Sequence, residues 1–181
     1  GAAMPAPAWS WQRWLAINGL VALAYCLLAA VSFQLREASA PVPMWAPIGL
    51  ATYALLRDGK RCLPGVVAGV VASLLLAHQT LPFALLHGAG QILAPWAGAQ
   101  ILNRFVERPA HLLERTDAAL KLLTVAYAAA VPSACATVAG MAVAGLVPAG
   151  QWLDTGSVLW LGDALGIIVT ILTQLAWTSG R

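Results

Sequence analysis

Charged side chains are scarce in this sequence. Only 9% of its 181 residues are charged, whereas 60% are hydrophobic and the mean hydropathy is +0.78. A soluble domain carries about 25% charged residues, so this composition excludes an ordinary soluble domain and indicates an integral membrane protein. About six spans of roughly 20 residues fit into the chain, which leaves no room for a second, soluble domain.

Cysteine and histidine are also rare, and their spacing excludes the common metal and redox motifs. Cys26, Cys62 and Cys135 are too far apart for a CxxC pair, so we interpret them as small buried or lipid-facing side chains. His78 and His87 are weak candidates for a metal site, because a turn separates them and they match no short ligand motif. We therefore predict no metal, and the sequence identifies no cofactor.

Motifs for catalysis are missing as well. The sequence contains no Gly-rich phosphate loop, no HExxH motif and no paired intramembrane aspartates. Ser133-Ala134-Cys135 faintly resembles exosortase-type transpeptidases, but no histidine follows Cys135. The net charge is +3, but the basic residues lie between the apolar runs and form no basic patch for nucleic acid. We predict that this segment is not an enzyme and binds no nucleic acid.

A proline-rich stretch interrupts the apolar sequence at Pro41-Val42-Pro43-Met44-Trp45-Ala46-Pro47-Ile48-Gly49. Proline lacks a donor N–H and fixes φ, so three prolines in seven positions disfavour an uninterrupted helix through this stretch. The helix that follows, from about residue 47 to residue 57, covers only about 17 Å, little over half of the hydrocarbon thickness. We therefore expect the irregular segment to descend into the bilayer and to be covered there by protein, namely by span six at Trp160 and Asp163.

The apolar runs predict an all-α, polytopic bundle of about six spans, with a short second helix. Tryptophans before the first span provide an interfacial anchor. Gly65, Gly69 and Ser73 form a small-residue stripe, which we interpret as helix packing inside the bundle, with dimerisation as the alternative. The fifth run is too long for one straight crossing, so we expect it to be kinked or split at Pro132. The predicted spans are residues 13–35, 47–57, 62–77, 82–103, 118–147 and 152–177 (or 157–177).

The basic residues fix the predicted orientation. With the N-terminus inside, all lysines and arginines except Arg36 fall on the cytoplasmic side, so both termini are predicted to be cytoplasmic and the protein to be multi-pass in the bacterial inner membrane. The residues on that side are Arg13, Arg57, Lys60, Arg61, Arg104, Arg108, Arg115, Lys121 and Arg181.

Polar residues within the spans then cluster in the outer half of the bundle. An intramembrane carboxylate such as Asp163 costs at least about 2.5 kcal/mol and normally faces the bundle interior with a partner. It is either a ligand contact or proton site, or a structural group that holds the N-terminus of the short second helix near Pro47. The predicted ligand-binding residues are Trp45, Pro47, His87, Gln91, Trp160 and Asp163, and Glu37 and His78 lie in the same half.

Two stretches resemble the membrane-associated sensor domains of bacteria, the MASE type, first class. The first is Pro43-Met44-Trp45-Ala46-Pro47-Ile48-Gly49-Leu50-Ala51, followed by Leu55-Leu56-Arg57-Asp58-Gly59. The second is Trp160-Leu161-Gly162-Asp163-Ala164-Leu165-Gly166-Ile167, which is similar to the closing signature of that family. The run Pro64-Gly65-Val66-Val67-Ala68-Gly69 resembles the helix that follows the first stretch in that family.

The resemblance implies a sensory input domain joined at its C-terminus to a cytoplasmic effector in the same chain. That effector is expected to be a histidine kinase, or a cyclase or phosphodiesterase for cyclic di-GMP. We accordingly assign residues 1–8 to a tag remnant and tail, 9–178 to the membrane sensor domain and 179–181 to a truncated linker. The expected partners are the lipid bilayer, a small ligand or membrane protein, and a second copy in a homodimer. The alternatives are a substrate-binding subunit of a small-molecule transporter and a dimerisation scaffold.

Overall fold

Six α-helices make up the bundle in a computed structural model that describes residues 10–38, 44–105 and 116–179. A 3₁₀ turn, Gly59–Cys62, joins the second helix to the third, and another, Ala149–Gln151, precedes the last helix. The described residues contain no β-strand. The helices are α1 Trp11–Ala38, α2 Ala46–Asp58, α3 Leu63–Leu76, α4 Leu81–Phe105, α5 Thr116–Val143 and α6 Trp152–Ser179.

The short second helix is confirmed, and local chemistry sets its ends. Pro47 lies in its first turn, where the missing N–H costs nothing because the first N–H groups of a helix have no intrahelical partner. Gly59 ends α2 with φ +67°, a left-handed conformation that glycine adopts without strain. At 1.5 Å per residue, the 13 residues of α2 span about 20 Å, short of the hydrocarbon thickness.

Helices α1 and α3 pack closely and run in the same direction. The Asn18 side chain accepts a hydrogen bond from the Gly65 N–H (2.6 Å) and donates one to the Arg61 carbonyl (3.0 Å). One turn further along, Gly69 lies against Tyr25, where an added Cβ would stand 2.7 Å from the Tyr25 Cβ. Gly65 and Gly69 thus pack against α1 of the same chain, which agrees with the interpretation of this stripe as helix packing inside the bundle rather than as a dimerisation surface.

Glycines also allow close contact in two other helix pairs, α4 with α5 and α2 with α6. Gly90 of α4 faces Ser133 of α5, and Gly98 faces Ala129, so these two helices are antiparallel. Gly49 of α2 lies against the Gly166 carbonyl of α6, and Gly166 in turn lies against the Trp45 carbonyl. A Cβ at either glycine would overlap backbone atoms, so only glycine allows α2 and α6 to approach this closely.

The pairings place alternate helices in alternate directions. Helices α1, α3 and α5 run one way, and α2, α4 and α6 run the other way. The direction of α2 follows from its two ends: Trp45, just before α2, contacts Phe33 near the end of α1, and Arg61, just after α2, contacts Asn18 near the start of α1. We call the end of the bundle where α1 begins the basic end, and the opposite end the cavity end. The basic end carries Arg13, Arg57, Lys60, Arg61, Arg104 and Lys121.

Four stretches of the described residues are long and apolar enough to cross a membrane, so the chain is a multi-pass membrane protein, but the predicted count of six spans is not confirmed. Helix α4 is long enough yet is not among them, since its sequence includes His87 and Gln91. The second stretch joins α2, the 3₁₀ turn and α3. The four are Trp11–Gln34, Ala46–Leu76, Ala119–Val143 and Ala149–Trp177.

Of the two alternatives predicted for the fifth span, a kink or a split at Pro132, the split is not observed. Helix α5 continues without a break through Pro132, as α4 does through Pro95, and a kink at Pro132 stays a prediction. Several other predictions lie outside the described residues: the tail at 1–9, the start of the proline-rich segment at 39–43, the loop at 106–115 and the last residues, 180–181.

Candidate functional site

A cavity of about 520 Å³ opens at the cavity end of the bundle, among α1, α4, α5, α6 and the residue before α2. Its volume lies in the range of small-molecule sites, about 300–1,000 Å³. Its wall is largely apolar and aromatic, with a few polar groups set into it. The lining residues are Ser32, Phe33, Trp45, Phe83, His87, Gln91, Thr137, Met141, Val147, Asp154, Thr155, Val158, Leu159, Gly162 and Asp163.

Gln91 is the centre of a buried hydrogen-bond network beside the cavity. Its carbonyl oxygen accepts the Trp45 indole N–H (3.0 Å) and the Tyr25 hydroxyl (3.2 Å). Its amide nitrogen donates to the Ser133 hydroxyl (2.9 Å). Gln91 is 1% exposed, so these bonds supply the partners that a buried amide requires. One side chain thereby connects α1, α4, α5 and the start of α2.

His87 lies one helical turn before Gln91 and is held on three sides. Its Nδ1 is 2.8 Å from the Thr137 hydroxyl, which donates its own hydrogen to the Ser133 carbonyl (2.9 Å). Because a hydroxyl has one hydrogen, Nδ1 of His87 is the donor in this pair. The ring stacks on Phe83 at 5.0 Å and meets the Trp45 ring edge-on at 5.9 Å. His87 therefore serves as part of a packed wall.

Asp163 brings a carboxyl group from α6 into the same network. It is 4% exposed and interacts with the Ser133 hydroxyl, which also accepts a hydrogen bond from the Gln91 amide. The structural alternative for Asp163, stabilisation of the N-terminus of α2, stays a prediction, since α2 has no side-chain cap hydrogen bond among the described residues. A carboxyl group buried in a membrane protein without a basic partner is costly, and such groups mark functional sites.

Trp45 joins this wall to the last helix through its backbone. Its N–H donates to the Gly162 carbonyl (2.9 Å), so α6 covers the backbone of Trp45, the residue before α2. The sequence predicted cover by span six at Trp160 and Asp163. At Trp45 the covering helix is the one predicted, but the contact is made by Gly162 and Gly166, which lie one turn apart on the same face of α6.

Two predicted site residues lie outside the cavity. Trp160 faces α5, where its indole N–H donates to the Tyr127 carbonyl (2.8 Å), and it lines a separate apolar groove on the side of the bundle. Pro47 is buried in the first turn of α2 and does not line the cavity. Trp45, His87, Gln91 and Asp163 do meet there, as the sequence predicted for them.

Sequence reasoning missed several members of the site. Tyr25, Ser133 and Thr137 carry the network's other hydroxyls, and Phe33 and Asp154 complete the wall. A polar group in the middle of an apolar run was the available signal for the first three residues. That signal is weak, because Ser and Thr hydroxyls commonly bond to the carbonyl four residues earlier in their own helix.

The metal candidates are not brought together. His78 is exposed in the turn between α3 and α4, with φ +49°, and does not line the cavity that His87 lines. Within the described ranges, no three His, Cys, Asp or Glu side chains converge as metal ligands would.

The two sequence signatures pack against each other in the structure. Trp45 and Gly49 from the first one pack directly on Gly162 and Gly166 from the second, while Asp163 turns into the cavity. Comparison with curated proteins and with solved structures gives no match. The family model of MASE1 matches residues 8–181. The chain therefore belongs to the MASE1 family of membrane sensory domains.

Proposed function

We propose that this chain is the membrane input domain of a signalling protein, that the cavity is its receptor site, and that α6 transmits the signal to a cytoplasmic effector at its C-terminal end. The effector is a histidine kinase or an enzyme that makes or degrades cyclic di-GMP. The observation that carries the proposal is the position of Trp45, whose ring lines the cavity and whose backbone is bonded to α6.

The proposed orientation puts the cavity end in the periplasm. The basic residues gather at the other end of the bundle, which favours the cytoplasmic face of the inner membrane for that end. Helix α1 begins and α6 ends there, so both termini are cytoplasmic. A stimulus from the periplasm or the outer leaflet then reaches the cavity, and the effector lies on the opposite side.

We propose that all six helices cross the membrane. Helices α2 and α3 run in opposite directions, so they form two crossings rather than one long one. Helix α4 runs antiparallel to α5 along its length, and its His87 and Gln91 are buried in the bundle, which spares them contact with lipid. The alternation of helix directions is what a six-span topology requires.

Coupling between cavity and α6 is mechanical. A ligand that replaces the contact of the Trp45 indole with Gln91 moves the residue that also holds the Gly162 carbonyl. Because Gly49, Gly166 and the Trp45 backbone are in close contact, α2 and α6 shift together rather than independently. A ligand switches the domain only if it binds the two arrangements with different affinities.

The test replaces one indole at a time in the full-length protein. Trp45→Phe removes the N–H that bonds to Gln91, and we expect it to change effector output in the absence of stimulus. Trp160→Phe is the matched control, since it removes an indole hydrogen bond of similar length outside the cavity. Equal output from the two variants and the wild type, at equal protein levels, would contradict the proposed coupling.

A further inference from the structure

We propose that the cavity binds a compact organic cation, an amine or quaternary ammonium group that carries an apolar or aromatic substituent. This inference rests on the proposed function, because it names the ligand class of the same receptor site.

The charges of the wall favour a cation. Two of the lining residues are acidic: Asp163, which is 4% exposed, lies in the buried network, and Asp154 is exposed in the first turn of α6. The described lining residues include no lysine or arginine. Asp163, in its largely apolar surrounding, repels an anion and attracts a cation more strongly than it would in water, and the exposed Asp154 adds a weaker attraction of the same sign.

Asp163 in particular has a place for a positive partner. Its bond is to the Ser133 hydroxyl, a neutral group, so no basic side chain of the described residues offsets its ionised form. An isolated charge buried in this way is strongly unfavourable, whereas a paired one recovers part of that cost. A ligand cation supplies the missing charge, which makes cation binding and ionisation of Asp163 mutually favourable.

The remaining wall indicates an organic cation rather than a hydrated metal ion. Phe33, Trp45 and Phe83 give the cavity three aromatic side chains, and the Phe33 and Trp45 rings meet at 66° with centroids 5.2 Å apart. Aromatic rings attract ammonium groups electrostatically, and the attraction is stronger where water is excluded. Met141 and Leu159 add apolar surface for the substituent.

The test measures binding to the purified chain in lipid nanodiscs by calorimetry. The probes are phenethylamine and benzyltrimethylammonium as cations, 2-phenylethanol as the neutral analogue and 3-phenylpropionate as the anion. We expect both cations to bind at least about tenfold more tightly than the other two probes. Asp163→Asn should lower the affinity for the cations by about tenfold, equivalent to about 1.4 kcal/mol. Asp117→Asn is the control, since that carboxylate lies at the basic end and pairs with Lys121.

Asp154→Asn keeps the inference testable if Asp163→Asn does not fold. Asp154 is exposed, so its replacement should leave the fold intact. We expect this replacement to lower the affinity for the cations and to reduce the salt dependence of their binding. The inference is overturned if the neutral or anionic probe binds as tightly as the cations, if no cation binds, or if cation binding is insensitive to every cavity carboxylate that can be replaced.

A second readout separates this inference from the proposed function. Spin labels at Gln12→Cys and Ala176→Cys, both exposed near the basic end, report the distance between α1 and α6 after Cys26 and Cys135 are replaced by Ala. Cations that bind without changing this distance support the ligand class and contradict the sensory coupling. A neutral or anionic probe that binds and changes the distance supports the coupling and overturns the ligand class.

Discussion

Gly166→Ala tests the contact on which the architecture of the site depends. A Cβ at this position would stand 2.7 Å from the Trp45 carbonyl carbon and would overlap the carbonyl oxygen. Carbon atoms in contact lie about 3.5–4.0 Å apart, so α6 and the Trp45 backbone must separate by about 1 Å. Both partners are backbone atoms, which means that no side-chain rotation relieves the overlap.

The expected destabilisation follows from three effects. Overpacking of this kind costs about 1–3 kcal/mol, and the loss of the bond from the Trp45 N–H to the Gly162 carbonyl adds about 1 kcal/mol. The higher helix propensity of alanine offsets about 1 kcal/mol. The net loss is about 1–3 kcal/mol, which corresponds to a drop in melting temperature of roughly 2–12 °C for a domain of this size.

The assay follows exposure of Cys62 to a thiol-reactive fluorophore during heating in detergent. Cys62 is 0% exposed, so it reacts only when the bundle opens, and Cys26→Ala and Cys135→Ala remove the two more accessible thiols. Gly156→Ala is the matched control in the same helix, because its Cβ would lie 3.5 Å from Val138, an ordinary contact. Melting temperatures for Gly166→Ala and Gly156→Ala that agree within error would refute the close packing of Trp45 on α6.

Two further predictions concern the basic end and the topology. Asn18→Ala leaves the buried Gly65 N–H without its acceptor, so we expect a loss of about 1–3 kcal/mol in the same melting assay, whereas Asn103→Ala at an exposed position should have little effect. In intact cells, a membrane-impermeant maleimide should label Thr80→Cys at the cavity end and not Lys60→Cys at the basic end. Labelling of Lys60→Cys alone would reverse the orientation, and labelling of both would exclude the six-span topology.

Composition and spacing were sufficient for the class of protein and for much of the helix pattern. Scarce charge and long apolar runs indicate membrane helices, since lipid selects against charged side chains and requires internal hydrogen bonding of the backbone. The proline-rich stretch predicted the short α2, because three prolines in seven positions disfavour an uninterrupted helix and Pro47 suits the first turn of a new one. These are local properties, and they do not depend on how the helices pack.

The site was predicted only in part, and the reason is geometric. Trp160 and Asp163 are three residues apart on α6, about 60° apart around the helix, which is enough for one to face α5 and the other the cavity. Sequence gives that angular separation but not the rotation of α6 in the bundle. For the same reason, the sequence indicated cover by span six without identifying Gly162 as the acceptor.

By itself, the sequence determined that this protein is a helical membrane domain, and it predicted that several polar residues, Gln91 and Asp163 among them, lie in one half of the bundle. It also placed both signatures in the chain, at Trp45–Gly49 and Trp160–Gly166. Only the tertiary structure decided that these two stretches pack on each other through backbone atoms, and that Ser133 joins Gln91 to Asp163. Such contacts depend on how each helix is rotated and on differences of about an ångström in the distance between helices. The periodicity of a single chain encodes neither quantity.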